Sequence, residues 1–95
     1  MTIEFKGVND MPPTAKDFED ELNEMLGAAQ KRGELCTKVK SGDLHRQVGG
    51  YPAHSHRMRE CCEVMRRKMK PGDQVLHEPQ SGQGATLIIC YRLPR

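Results

Sequence analysis

Along residues 15–32 the apolar side chains Phe18, Leu22, Met25, Leu26 and Ala29 recur every three or four positions, the period that gathers them on one stripe of an α-helix. The opposite face carries Asp17, Asp20, Glu21, Glu24 and Lys31. Thr14 and Asp17 have the spacing of a capping box, with the shorter acid in place of Glu. Lys31 and Arg32 suit the negative end of the helix dipole, and Gly33 suits the position just past the helix. A first helix is therefore expected over residues 14–33. Residues 1–13 form an N-terminal arm in which Ile3, Phe5 and Val8 alternate, and Pro12 and Pro13 mark its boundary.

The β-leaning residues 35–39 predict a short strand leading into Ser41. Ser41 reads as the N-cap of a second helix over residues 41–49, with Asp43 in its first turn. Leu44 and Val48 share a face of it, and Gly49 and Gly50 stop it before Tyr51 and Pro52 extend the chain. A third helix is expected over residues 55–70, starting at Ser55 or His56 and ended by Pro71 and Gly72. On it Met58, Cys61, Cys62, Met65 and Met69 make one stripe, while His56, Arg59, Glu60, Glu63, Arg67 and Lys70 lie mainly on the other side. Residues 74–78 and 85–93 read as two strands, joined by the polar link 79–84 into a hairpin, residues 74–93, with a loose tip. In the second strand Leu87, Ile89, Tyr91 and Leu93 share one face.

The 95 residues make one domain with a modest core, whose aromatic content is limited to 2 Phe and 2 Tyr with no Trp. The formal charge of +2 conceals an asymmetry: residues 1–34 carry four basic and eight acidic side chains, a net of −4, leaving +6 for residues 35–95. A basic C-terminal two-thirds suits an anionic partner such as nucleic acid. No apolar run reaches the ~18 residues that suggest a membrane span, and the first ten residues lack the apolar centre of a signal peptide, so the expected location is the cytoplasm with no membrane association. All four cysteines are then expected to be reduced.

The order helix, short strand, helix, helix, strand, strand resembles the winged helix-turn-helix family, an α+β fold. The likeness spans residues 14–93 and rests on the order and lengths of the elements. The segment GDLHRQVGGYPAHSHRMRECCEVM is also similar to small, poorly characterised bacterial proteins. The winged-helix resemblance implies that the third helix enters a DNA major groove and that 79–84 is the wing tip. Its departures are a wing without Lys or Arg, Glu60 and Glu63 among the basic residues of the third helix, and a loop from Gly49 to Ser55 longer than a tight corner.

The residues expected to meet DNA are Arg57, Arg59, Arg66, Arg67 and Lys70, with Arg46, His54 and His56 at the helix entry and Gln80 and Gln83 on the wing. Arginine clamps phosphate or reads guanine with two hydrogen bonds at once, which lysine cannot. The four His and four Cys offer no zinc-binding spacing, and Cys61 and Cys62 read as small core residues. His45 reads as a surface residue beside Asp43, and no catalytic motif occurs, so neither cofactor, metal nor enzymatic activity is expected. The expected function is therefore a small non-enzymatic DNA-binding protein, a transcriptional regulator or accessory factor. The alternative is a protein-interaction module, with the last strand adding edge to edge in a homodimer.

Overall fold

A computed structural model describes residues 13–49 and 57–95. Three helices, α1 (Ala15–Lys31), α2 (Ser41–Val48) and α3 (Met58–Arg67), pack on a sheet of β1 (Cys36–Lys40), β2 (Gln74–His77) and β3 (Ile88–Arg92). The sheet is antiparallel in the order β1-β3-β2, so the last strand lies between the other two with both sides paired, and the expected edge-to-edge addition of that strand is corrected: it has no free edge to offer. The fold is α+β. Most of the N-terminal arm, the stretch through Tyr51 and Pro52, and the expected helix start at Ser55 or His56 lie outside the described residues.

α1 follows its sequence pattern closely. The Thr14 side chain accepts from the Asp17 amide while the Asp17 carboxylate accepts from the Thr14 amide, and Gly33 takes the positive φ of 82° that a side chain would resist. Phe18, Leu22, Leu26 and Ala29 are buried, and Met25 is partly so. α3 buries Met58, Cys61, Cys62, Val64 and Met65. β3 supplies the floor: Ile89 and Tyr91, with Leu87 and Leu93 just beyond the strand ends, are buried while Arg92 between them is exposed. The Tyr91 hydroxyl donates to the Met65 carbonyl at 2.8 Å, in the last turn of α3 where helical carbonyls lack backbone partners.

Other expectations are corrected as well. Ser41 is not an N-cap but the first residue of α2; Lys40 precedes it without a side-chain cap, and the buried Ser41 hydroxyl instead donates to the Gly84 carbonyl. His45 is fully buried rather than on the surface, because α2 is covered by α1 on one side and α3 on the other. The link 79–84 is not loose: Gly82 closes a turn onto the Pro79 carbonyl at 2.8 Å, Pro79 is buried, and the residues that follow are bonded to the start of α2. There the Ser41 amide donates to the Leu87 carbonyl at 2.8 Å and the Gly42 amide to the Ala85 carbonyl at 3.0 Å. A Cβ at Gly42 would stand 3.0 Å from that Ala85 oxygen, so the approach is one that glycine permits. Residues 84–87 form a turn closed by the Leu87 amide on the Gly84 carbonyl at 3.4 Å, and the strand expected from residue 85 begins at Ile88.

Candidate nucleic-acid interface

α3 is the element on which the candidate residues converge. Successive residues turn by about 100° around a helix, so the buried stripe leaves an outward arc bearing Arg59, Glu63, Arg66 and Arg67, with Lys70 just past the helix end. Arg59, Arg67 and Lys70 are exposed, and Arg66 is half-buried. Arg57, also exposed, is the N-cap residue, and its amide donates to His45 Nε2 at 2.8 Å. That bond makes Nε2 an acceptor and puts the ring proton on Nδ1. The imidazole packs edge-on against Phe18, with ring centroids 4.8 Å apart. His45 is therefore a positioning residue for the start of α3, while the exposed Asp43 carboxylate pairs with Arg46 at 3.1 Å.

Ion pairing sorts the cations. Arg59 meets Glu63 at 3.3 Å across one helical turn, both well exposed, an arrangement worth about 0.3–0.5 kcal/mol. Phosphate can displace such a partner. Arg66 is engaged by Glu78, just after β2, and that pair is less exposed on the arginine side. Arg57, Arg67 and Lys70 have no ion pair among the described residues. Glu78 could not be singled out from sequence because it meets Arg66 only once β2 has turned back toward α3.

The other expected DNA-facing residues are dispersed. Arg46 lies on α2, Gln80 is exposed on the link, and Gln83 is half-buried there with its carbonyl accepting from the Ser81 hydroxyl at 2.7 Å. His54 and His56 lie outside the described residues. The fold sets further cations beside Lys70: an open cleft of about 500 Å³ next to the end of α3 is lined by Lys70 together with Lys31, Lys68 and Arg95, with Asn23 and Gln30. Lys68 is held by Glu19 at 3.3 Å. These lysines come from the last turn of α1 and the end of α3, 37 residues apart for Lys31 and Lys68, a separation that no local pattern bridges.

The α3 cysteines are structural. Cys61 and Cys62 are fully buried; their thiols donate to the Ser41 carbonyl at 3.5 Å and the Gly84 carbonyl at 3.3 Å, fastening α3 to the start of α2 and to the link. Burial, reinforced by the neighbouring Cys62, pushes the Cys61 thiol up to about 12, so it stays protonated and is a poor nucleophile. Among the described residues no three His, Cys, Asp or Glu side chains come together as a metal cluster, and no helix is long and apolar enough to cross a membrane. Compared with protein-family models, curated proteins and solved structures, the chain matches none.

Proposed function

We propose that this protein binds double-stranded DNA through the outward arc of α3, in a winged helix-turn-helix arrangement, as a small transcriptional regulator or accessory factor. The observation that carries the reading is the presentation of Arg59, Arg67 and Lys70 on the exposed side of a helix whose other side is core. Support for the fold assignment comes from the element order and from the strand order β1-β3-β2, in which the first strand joins the C-terminal hairpin. The bonded link 79–84 offers the wing no cation, so recognition falls on the helix.

Counting Arg57, Arg59, Arg67 and Lys70 as phosphate ligands, with Arg66 held by Glu78, log K for random duplex falls with log salt at a slope of about −3.6. Affinity is expected to drop ~100-fold between about 50 and 200 mM salt, read by fluorescence anisotropy. Arg67→Ala flattens the slope by about one unit. A wild-type slope near zero would remove the proposal. A protein-interaction role is favoured by one feature, the open edge at β2, where all four residues are exposed, Val75 and Leu76 at 39% and 46%. That role predicts concentration-dependent self-association, or capture of a partner, with no duplex binding at the lower salt.

A further inference from the structure

Two cysteines stand apart from the helical face. Cys36 opens β1 and Cys90 is the middle residue of β3. The register pairs Cys36 with Arg92 and Lys38 with Cys90, so the two cysteines lie on a diagonal across adjacent antiparallel strands. Alternation places both on the sheet face turned away from the helices, since Val39, Ile89 and Tyr91 point the other way and are buried. Cys36 is exposed and Cys90 half-buried, and both are free thiols. Partial burial and next the neighbouring Cys36 raise the Cys90 thiol, while Lys38 works to lower it and Asp73 to raise it.

Distance selects the chemistry. A disulfide needs an S–S bond of about 2.05 Å and Cα atoms within about 6.8 Å, whereas diagonal neighbours on antiparallel strands stand roughly 7–8 Å apart. Closing that bond requires the strands to shift. A metal–thiolate bond of about 2.3 Å lets one ion span sulfurs up to ~4.6 Å apart, a reach that suits a diagonal pair with the backbone left in place.

We propose that Cys36 and Cys90 form a two-thiolate site for a soft monovalent cation of the Cu(I) and Ag(I) class on the outer face of the sheet. Both thiols release their protons to water, each sulfur donates a lone pair to the ion, and the metal's oxidation state does not change. The product carries one net negative charge, and the Lys38 ammonium, directly across from Cys90, offsets it. The site is independent of the DNA reading, since it uses no residue of α3.

The test is native mass spectrometry of the fully reduced chain with silver nitrate in a chloride-free buffer, with thiol counting by a chromogenic disulfide under the same conditions. The expected result is one Ag(I) per chain and protection of two native-state thiols by that single equivalent, while Cys61 and Cys62 react only after denaturation. Cys36→Ser and Cys90→Ser, each on an outer sheet position and each checked for unchanged thermal unfolding, should both abolish the one-to-one complex. Retention of the complex in either variant, or binding of one ion per exposed thiol, would overturn the proposal. So would a 2 Da mass loss on exposure to glutathione disulfide with no silver complex, which would make the pair a disulfide instead.

Discussion

Replacing His45 with Ala is expected to lower the unfolding free energy by about 3–4 kcal/mol and the melting temperature by roughly 15–25 °C. The ring is fully buried between the helices and packs against Phe18, so truncation leaves a void that the neighbouring elements can close only in part. It also strips the acceptor from the Arg57 amide at the start of α3. His45→Gln restores an acceptor near the Nε2 position without the ring and should recover part of the loss. His45→Phe restores the packing and leaves the amide unmet, at about 1–3 kcal/mol. Urea unfolding of the three variants separates the contributions; equal losses in all three would mean that the acceptor and the ring are not distinct contributors.

Asp73→Asn should cost about 2–4 kcal/mol and change how the protein responds to acid. The Asp73 carboxylate accepts from the Lys70 amide at 2.8 Å, from the Arg92 amide at 2.7 Å, and with both oxygens from Arg95 Nη1 at 2.9 and 3.0 Å. Arg95 in turn donates to the Lys68 carbonyl at 2.6 Å, so the Asp73 side chain, only 1% exposed, ties the end of α3 to the end of β3. Burial alone would raise the carboxyl, but the Arg92 and Lys70 amides and the Arg95 guanidinium outweigh it and hold it below the ordinary 3.8. A carboxyl depressed by folding stabilises fully above its unfolded value, and the contribution disappears as pH falls through the lower folded value. The stability difference between wild type and Asp73→Asn should therefore be constant above about pH 5 and shrink below about pH 4. A difference unchanged into strong acid would mean that Asp73 acts through packing alone.

The parts of the fold that can be read from sequence are those whose causes are local. The α1 capping box lies within four residues, the α3 stripe repeats over three turns, and the alternation of β3 needs no partner to be seen. The positions that sequence misreads are those whose partners are distant. Ser41 has the chemistry of a cap, yet its hydroxyl serves Gly84, and the polar link 79–84 is held by the same bond. In the eight-residue α2, the two-sided cover that buries both Leu44 and His45 depends on α1 and α3, which periodicity cannot supply. The role of Asp73 is hidden in the sequence because its partners Arg92 and Arg95 are about twenty positions away. For the candidate interface, the arc of α3 is legible, whereas the capture of Arg66 by Glu78 and the lysine-lined cleft are not.

Duplex binding at about 50 mM salt, compared between the helix variant Arg59→Ala with Arg67→Ala and the sheet-face variant Lys38→Ala with Lys40→Ala, tests the central claim most directly. Each variant removes two exposed cations, so net charge is matched and only position differs. The helix variant should bind about 100-fold more weakly, near tenfold for each phosphate-binding cation removed at this salt, and the sheet-face variant should stay within roughly twofold of wild type by fluorescence anisotropy. Equal weakening in both would reduce binding to net charge, and weakening confined to the sheet-face variant would contradict the assignment of α3 as the DNA-facing element.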